Sequence, residues 1–377
     1  MKKHALFILL LVFSACGRSQ EQARNVILFI GDAGGISVYT AAAHYKGQAQ
    51  SLFIHKMPHH ALSDTSSASH LVTDSAAGMT ALVTGRKTNN GVISQGPDAV
   101  RGKKDGQTLK TILEYAEERG LSTGVVTDDK VAGATPGACY SHSNDRKKTG
   151  EMFAQLLQPA YGDGVDLLIG PEDGVLSEAS ALGYDMESGL KSRGYVVARS
   201  LEELNQDVQR AIVLFPTDDF DREAAVKRAI EILSRNPKGY FLMVEVDVHT
   251  DKLQSGLESM LVLDRLVEQT VKSVGDDTLV IYTSDHSFDT QIVDGKVGQP
   301  LVLPAMGDNP ASEQKDQEDP AIRVGDGHSG EDVLVAAHGP GAEQVKGFFP
   351  NTRIFQIMLN AYGWQETPAV EKTLSQR

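Results

Sequence analysis

The sequence predicts a single layered α/β domain with a central, mostly parallel β-sheet. Continuous apolar runs occur at residues 25–31 and 240–246, and such runs are typical of parallel strands that are buried on both faces. Stretches with helical periodicity lie between these and other apolar runs, and strands that alternate with helices indicate a layered α/β architecture. Acidic and histidine residues follow several of the runs, at the strand ends where open α/β sheets build their sites.

The first 24 residues are predicted to lie outside this domain. Two lysines precede a short apolar run at residues 5–13, and small residues lead from there to Cys16, as in a secretory signal. The run is shorter than the ~20 apolar residues that cross a bilayer. Because the end of the signal resembles a bacterial lipobox, we expect a signal at residues 1–16, a lipid anchor on Cys16, a polar tether at residues 17–24, and a periplasmic or cell-envelope location. The alternative is a signal that is simply cleaved.

The composition of the chain excludes one class of partner and one kind of cross-link. The formal net charge is −14, with 36 Lys and Arg against 50 Asp and Glu, and the sequence contains no basic block, which argues against nucleic acid as a partner. With Cys16 used as an anchor, only Cys139 remains, so no disulfide can form within the chain. An acidic enzyme that acts on anions needs a local positive site, and bound metal ions can provide one.

The first predicted elements are a strand that ends in an acid and a helix that begins at a serine. The strand at residues 25–31 stops at Asp32, and a helical stretch follows the glycines after it. A helix that closes at Gly85 is predicted after this, because small residues follow Ser75 and lead to that glycine, a common residue at helix C-termini. Ser75 then lies at or near a helix N-terminus, where free N–H groups and the helix dipole favour an oxyanion or a bound phosphate. The alternative is a serine that only caps an ordinary helix.

Helices and strands alternate along the rest of the chain. Further helices are predicted at residues 109–119, 152–157, 222–235, 255–274 and 351–362, the last with Asn351 as its cap. Further strands are predicted at residues 122–127, 166–170, 195–198, 211–215, 240–246, 278–283 and 333–338. Residues 25–364 are thus predicted to form one domain, with a polar insertion or lid at residues 289–323 and a loose tail at residues 365–377.

Side chains that can bind metals follow several of these strands. They are Asp32, Glu245, Asp247, His249, Asp285 and His286, together with His328 in a glycine-rich loop at residues 325–330. Mixed carboxylate and imidazole ligands suit Zn²⁺, whereas Mg²⁺ prefers oxygen ligands alone. Each residue taken singly is more often an ordinary strand-end or surface residue. Together they would gather many negative charges at one edge of the sheet, which a bound cation would compensate.

Two segments resemble the alkaline phosphatase family: NVILFIGD at residues 25–32 and VTDSAA at residues 72–77. The resemblance extends over about residues 25–362. It implies a layered α/β catalytic domain that hydrolyses phosphate monoesters through a phosphoserine, with two zinc ions and a third site for magnesium. It also implies small phosphate monoesters and inorganic phosphate as ligands, and it leaves the oligomeric state open.

The resemblance implies a role for individual residues. Ser75 matches the nucleophile, which the second zinc ion holds, and Asp285 and His286 match further ligands of that ion. Asp32 matches the aspartate that bridges the second zinc ion and the magnesium ion. Arg146 matches the arginine that clamps the phosphate.

Two further metal positions follow from the same resemblance. Thr135 and Glu245 match ligands of the magnesium site, although Gly133 stands where some members carry an aspartate that supports this site. His328, which precedes Ser329 and Gly330, matches a histidine of the first zinc site.

The segment after Glu245 is shorter than is usual in the family. We choose Asp247 and His249 as the remaining ligands of the first zinc ion, because alternate residues beyond a strand can converge on one metal if the backbone turns. Asp251 is the alternative to His249, since Asp247 and Asp251 keep the four-residue spacing that is usual for this pair.

Two other functions stay open on the sequence alone. A phosphodiesterase, sulfatase or phosphomutase of the wider superfamily would use similar residues, although the sulfatase signature Cys-x-Pro-x-Arg is absent around Ser75. A non-catalytic surface lipoprotein that binds phosphate would need the metals but no nucleophile. A comparison of rates on a monoester and a diester tests the first alternative, and a turnover assay tests the second.

Overall fold

The computed structural model describes residues 22–45, 52–296, 298–301, 303 and 321–366. Its strands are β1 Asn25–Asp32, β2 His59–Asp64, β3 Ser122–Val126, β4 Leu167–Pro171, β5 Val196–Ala198, β6 Ala211–Phe215, β7 Tyr240–Asp247, β8 Thr278–Thr283, β9 Ser287–Ile292, β10 Ile322–Ser329, β11 Val333–His338 and β12 Gly347–Pro350. Its α-helices are α1 Ile36–His44, α2 Ser75–Thr84, α3 Ile112–Glu118, α4 Ala134–Tyr140, α5 Thr149–Ala154, α6 Val175–Ala181, α7 Met186–Ser192, α8 Arg222–Leu233, α9 Leu253–Ser273 and α10 Thr352–Tyr362. In this part of the chain, no helix combines the length and the apolar composition that crossing a bilayer requires.

Ten of these strands form one sheet, in the order β12-β2-β11-β8-β1-β7-β3-β4-β6-β5. Strand β11 runs antiparallel to β2 and β8, and the other neighbouring strands in the sheet run parallel. Strand β1 lies in the interior of the sheet between β7 and β8, and it carries no polar side chain between Asn25 and Asp32. The predicted fold class, a layered α/β domain with a mostly parallel sheet, is confirmed.

Helices cover both faces of the sheet, which explains why β1 lacks polar alternation. Successive residues of a strand point to opposite faces. Val26, Leu28 and Ile30 pack into the core shared with helices α2–α7 and α10, whereas Ile27 and Phe29 pack against α1, α8 and α9. All five side chains are fully buried, and burial of each stabilises the fold by roughly 1.5–3 kcal/mol. The end of β1 is therefore firmly held.

The N-terminal boundary of the fold differs from the prediction. Ala23 is buried, and its N–H donates a hydrogen bond to the carbonyl oxygen of Ala361 at 2.7 Å. The predicted tether at residues 17–24 therefore extends too far, because its last residues pack against helix α10. The predicted signal at residues 1–16, with its lipid-anchor cysteine, lies outside the described residues.

The C-terminal helix α10 starts one residue later than predicted, and Asn351 does not cap it with its side chain. Nδ2 of Asn351 donates instead to the carbonyl oxygen of Thr65 at 3.5 Å, which ties the start of the helix to the chain after β2. Glu366, in the predicted loose tail, forms an ion pair with Arg86 at 2.5 Å. The tail from residue 367 onward lies outside the described residues.

The prediction of a loop at residues 325–330 is wrong, because most of these residues belong to strand β10. Strands β9 and β10 form a separate antiparallel pair, in which His328 lies opposite Phe288 after a bulge. Strand β10 is half-buried or exposed along most of its length, so it needs no alternation of apolar residues, and backbone hydrogen bonds hold it. The lid predicted at residues 289–323 accordingly begins within β9 and ends within β10, and residues 304–320 lie outside the described part of the chain.

Candidate active site

Ser75 is the first residue of helix α2 and lies beside a histidine that follows β8. Asp74 occupies the N-cap position, and its carboxylate accepts a hydrogen bond from the N–H of Ala77 at 3.1 Å. Ser75 therefore does not cap the helix, and its Oγ lies 3.1 Å from Nε2 of His286. The residue is 3% exposed and stands at the positive end of the α2 dipole. The helix ends at Gly85, as predicted.

The small residues after Ser75 allow helix α2 to touch the chain just after β8. At Gly78 there is no room for a side chain, since a Cβ atom would lie 2.5 Å from the carbonyl oxygen of Asp285. This close contact sets the distance between the start of α2 and the Asp285-His286 pair. The run of small residues is therefore a packing requirement of the site.

We expect Gly78→Ala to lower the thermal midpoint of unfolding. Alanine favours a helix over glycine by about 1 kcal/mol. The added Cβ would, however, overlap a backbone carbonyl at 2.5 Å, and overpacking of this kind costs about 1–3 kcal/mol. Gly137→Ala in α4 is the matched control, because a Cβ there meets only ordinary contacts, the shortest at 3.5 Å, and its midpoint should rise. A Gly78→Ala protein as stable as the wild type would contradict the packing described here.

The carboxyl ends of three neighbouring strands bring acidic residues and a histidine together. Asp32 ends β1 and lies in register with Asp247 at the end of β7, while Asp285 and His286 directly follow β8. Oδ1 of Asp32 is 3.1 Å from Nε2 of His286. The N–H of Ala33 donates to Oδ1 of Asp285 at 3.4 Å. The strand-end residues that the sequence singles out here thus meet at one edge of the sheet.

Asp32, Asp285 and His286 form a first set of metal-ligand side chains, termed here the aspartate group. Their donor atoms lie within 4.8 Å of one another, and all three residues are buried. Oδ1 of Asp32 and Oδ2 of Asp285 are buried and accept no hydrogen bond from the described residues. His286 approaches Oδ1 of Asp32 to 3.1 Å, but the angles of this contact are not those of a hydrogen bond. Buried carboxylate oxygens without donors are costly, so a cation fits this group.

His249, His286 and His328 form a second set, termed the histidine group, again with donor atoms within 4.8 Å. The rings of His286 and His328 stack with their centroids 3.7 Å apart. Nδ1 of His328 is 3.1 Å from the carbonyl oxygen of Thr73, and Nδ1 of His249 is 2.7 Å from Oδ1 of Asp247. Because a neighbour holds one nitrogen of each of these two rings, the other nitrogen is available to a metal.

Of the three candidate ligands in the short segment after Glu245, one belongs to a metal-ligand group and two do not. His249 belongs to the histidine group, whereas Asp251 is exposed and belongs to neither group. Asp247 also lies outside both groups, and its Oδ1 accepts a hydrogen bond from the backbone N–H of His249 at 2.9 Å. The geometry therefore favours His249 over Asp251, and Asp247 orients His249. A direct bond from Asp247 to the metal stays a prediction.

The charges in the two groups raise some pKa values and lower others. Burial raises the pKa of Asp285 to about 6, and the charge of Asp32 adds to this shift. Burial also raises the pKa of Asp32, but the imidazoles of His286 and His249 lower it more, so its pKa lies below the ordinary value. Burial, together with the charge of His286, lowers the pKa of His328 to about 4. A neutral ring of this kind can donate a lone pair to a metal.

Thr135 and Glu245 lie next to Asp32. Oγ1 of Thr135 donates to Oδ2 of Asp32 at 3.4 Å. The sequence does not signal helix α4, which carries Thr135, because Pro136 interrupts the pattern, yet proline is tolerated in the first turn. Oε2 of Glu245 accepts a hydrogen bond from Thr127, while Oε1 accepts none from any residue that the structure describes, although Glu245 is almost fully buried. Sequence reasoning missed Thr127, and its position directly after β3 is the signal that could have found it.

Arg146 reaches the start of helix α2 from the chain after α4. Its Nη1 donates to Oδ2 of Asp74 at 3.2 Å, so the guanidinium lies beside the residue that precedes Ser75. The side chain is 31% exposed, and so accessible to an anion from solvent. The predicted phosphate-binding arginine and the predicted nucleophile are therefore neighbours through Asp74.

The donor sets fit divalent cations. Imidazoles with a neighbouring carboxylate, and carboxylates with one imidazole, are ligand combinations that suit Zn²⁺. The hydroxyl and carboxylate oxygens around Thr135 and Glu245 are of the type that Mg²⁺ prefers. The residues predicted from the sequence thus lie at or beside one edge of the sheet, with donors that match the predicted ions.

Comparison with known proteins identifies relatives of this chain. A family model described as alkaline phosphatase matches residues 23–169 and 218–322. The chain is 29% identical over 425 residues to an alkaline phosphatase of Escherichia fergusonii, covering 92% of this chain and 87% of that protein. It is 30% identical over 330 residues to the human tissue-nonspecific isozyme of alkaline phosphatase. That match covers 70% of this chain and 63% of the human protein, which is less than two thirds of its length.

Solved structures share the fold over most of the chain. The alkaline phosphatase from the Antarctic bacterium TAB5 has a TM-score of 0.75 at 25% identity, over 92% of this chain and 100% of that one. The alkaline phosphatase of Thermus thermophilus has a TM-score of 0.76 at 22% identity, over 96% of this chain and 97% of that one, and this likeness concerns the fold alone. The family match includes Ser75 and the Asp285-His286 pair. The predicted family and enzyme class are therefore confirmed: the chain belongs to the alkaline phosphatase family of enzymes.

Proposed function

We propose that this protein hydrolyses phosphate monoesters through a phosphoserine intermediate on Ser75. The position of the Ser75 hydroxyl carries the proposal, because it lies at the N-terminus of α2 and 3.1 Å from His286. His286 is a member of both the aspartate group and the histidine group. Membership of the alkaline phosphatase family supports the same reaction.

Two zinc ions and one magnesium ion are the cations that we propose for this site. The residues that would hold them are His249, His328 and Asp247 for the first zinc ion, Asp32, Ser75, Asp285 and His286 for the second, and Asp32, Thr135 and Glu245 for magnesium. When bound, these cations would supply positive charge that stabilises phosphoryl oxygens and lowers the pKa of nearby hydroxyl groups.

Ser75 would act as the nucleophile in the first half of the reaction. Its Oγ loses a proton and forms a bond to phosphorus, while the bond from phosphorus to the ester oxygen breaks and the alcohol leaves with a proton. Water then attacks the same phosphorus, the bond to Oγ breaks, and inorganic phosphate is released. The start of helix α2 favours the anionic oxygens around Ser75. Phosphoryl transfer mainly needs such positioning and charge stabilisation.

Arg146 would hold the phosphoryl group during both steps. Its planar guanidinium can donate parallel N–H bonds to two phosphate oxygens, a geometry that lysine cannot reproduce. The 3.2 Å bond to Asp74 orients the guanidinium toward the start of α2. The fork takes two unsubstituted oxygens and the cations would take the third, which a monoester offers and a diester lacks. The arrangement therefore favours monoesters.

The experiment that tests this function compares a monoester with a diester. We expect kcat/KM for p-nitrophenyl phosphate to exceed that for bis(p-nitrophenyl) phosphate by about tenfold or more, because a lost hydrogen bond to a charged group costs about 1.5–3 kcal/mol. A preference for the diester would support the phosphodiesterase alternative. Binding of phosphate without any release of p-nitrophenol would support the non-catalytic binder.

The same assay tests the role of Arg146 when inorganic phosphate is added as an inhibitor. We expect Arg146→Ala to weaken phosphate inhibition by more than about 1 kcal/mol, or about fivefold in the inhibition constant. Arg265→Ala is the matched control, since Arg265 is an exposed arginine on α9 that pairs with Glu223 at 3.5 Å. Unchanged inhibition in the Arg146 variant would contradict the assigned role.

A further inference from the structure

Gly133 has an ordinary backbone conformation but no room for a side chain. It is the N-cap of helix α4, two residues before Thr135, and its φ of −58° and ψ of 173° are accessible to other residues. A Cβ atom at this position would lie 2.5 Å from Oδ2 of Asp129 and 2.9 Å from the carbonyl oxygen of Lys130. The space beside Thr135 where the side chain of residue 133 would begin is thus taken by the carboxylate of Asp129.

Asp129 belongs to the loop after β3 and is connected to Glu245 through a hydroxyl group. Its N–H donates to Oγ1 of Thr127 at 2.9 Å, and the same hydroxyl donates to Oε2 of Glu245. Glu245 is almost completely buried, with 1% of its surface exposed, yet its Oε1 accepts no hydrogen bond from the described residues. A buried carboxylate with an unpartnered oxygen indicates a place for a cation, and the hydroxyl of Thr127 ties this carboxylate to the backbone of Asp129.

The same corner of the fold holds the hydroxyl of Thr135, two residues after Gly133. Its Oγ1 donates to Oδ2 of Asp32 at 3.4 Å. Since Oδ2 of Asp129 occupies the space beside Gly133, the start of helix α4 lies between the carboxylates of Asp32 and Asp129. A divalent cation bound there would compensate their negative charges.

The spacing of these oxygens differs from that in the aspartate and histidine groups. Among the described residues, no set that includes Asp129 has its donor atoms within 4.8 Å of one another. Mg²⁺ usually keeps several of its water molecules when it binds a protein, so a carboxylate can hold it through one of them. Asp129 is exposed, so a hydrated ion can reach it from solvent.

We propose that Asp129 supplies the acidic side chain of the third metal site, in place of residue 133. With Asp32, Thr135 and Glu245, it would bind Mg²⁺ directly or through a water molecule of the ion. The inference deepens the proposed function and rests on it for the identity of the third cation. The binding itself can be measured without turnover.

Calorimetric titration of the zinc-loaded protein with Mg²⁺ tests the proposal. We expect Asp129→Ala to raise the Kd for Mg²⁺ by about tenfold or more, while the zinc content measured by mass spectrometry equals that of the wild type. Asp129→Asn keeps the shape of the side chain and should lose affinity in the same way. Asp218→Ala is the matched control, since it removes another exposed carboxylate and should leave the Kd unchanged.

A compensating variant adds a stricter test. In Asp129→Ala/Gly133→Asp, the carboxylate returns from position 133; the clash with the Asp129 carboxylate is gone, and the backbone must move to relieve the remaining 2.9 Å contact of the new Cβ with the carbonyl oxygen of Lys130. We expect this variant to bind Mg²⁺ more tightly than Asp129→Ala. An unchanged Kd in Asp129→Ala, or no Mg²⁺ binding by the wild type, would overturn the proposal. Asp129-dependent binding without monoester hydrolysis would refute the proposed function and leave this inference standing.

Discussion

Ser75→Ala is expected to lower kcat for monoester hydrolysis by about 10⁴-fold or more, because it removes the oxygen that would carry the phosphoryl group. The fold should survive the change. Ser75 is buried at 3% exposure, and its hydroxyl contacts His286 without capping the helix. Alanine is also a better helix former than serine by up to about 0.5 kcal/mol. Release of p-nitrophenol and the thermal midpoint of unfolding together separate lost chemistry from lost structure.

Ser63→Ala is the matched control for this experiment. Ser63 lies in β2, is fully buried, and donates one long hydrogen bond of 3.4 Å to the carbonyl oxygen of Asp64. Its removal should leave kcat close to that of the wild type. Mass spectrometry of protein quenched in acid with excess phosphate should find a phosphoryl group on the peptide that contains Ser75. Full activity in Ser75→Ala would refute the assignment of the nucleophile.

His286→Ala is expected to have the second largest effect, since His286 is the residue shared by the aspartate group and the histidine group. Its Nε2 lies 3.1 Å from both Ser75 Oγ and Asp32 Oδ1. The substitution removes one donor from each group and leaves the buried carboxylates of Asp32 and Asp285 without this neighbour. We expect loss of bound zinc and a fall in kcat of about 10²-fold or more, in line with the loss of a metal ligand or its support.

The dependence of stability on zinc provides a readout that is independent of turnover. A metal that binds only the folded state raises the thermal midpoint as its concentration rises. The wild type should show this increase, and His286→Ala should show much less of it. His338→Ala, at the end of β11, is the matched control and should respond to zinc as the wild type does. An equal response in His286→Ala would exclude His286 as a shared ligand.

Elements with strong local patterns could be predicted from the sequence. Strand β1 is buried on both faces, so its unbroken apolar run is sufficient to identify it. Helix α2 begins with small residues at Ser75 and ends at Gly85, and both signals lie within the helix and its first flanking residue. Asp32 and His286 could be singled out because parallel strands end at the same edge of a sheet.

Elements that depend on distant partners could not be predicted in the same way. Strand β10 is partly exposed and rich in glycine, so only its pairing with β9 shows that His328 lies in a strand. Helix α4 is seven residues long and contains Pro136, and its contribution to the site is the contact of Thr135 with Asp32. Sequence patterns are weak where the stabilising contacts come from elsewhere in the chain.

By itself, the sequence determined that this protein is a layered α/β enzyme of the alkaline phosphatase family, with Ser75 at a helix start and metal-ligand side chains at strand ends. Only the tertiary structure decided that Asp74 caps α2, that His249 rather than Asp251 joins the histidine group, and that Asp129 fills the space beside Gly133. Burial and periodicity are encoded locally, residue by residue. Which donors share one site depends on distances of a few ångströms between residues that are far apart in the chain, and only the packed fold sets those distances.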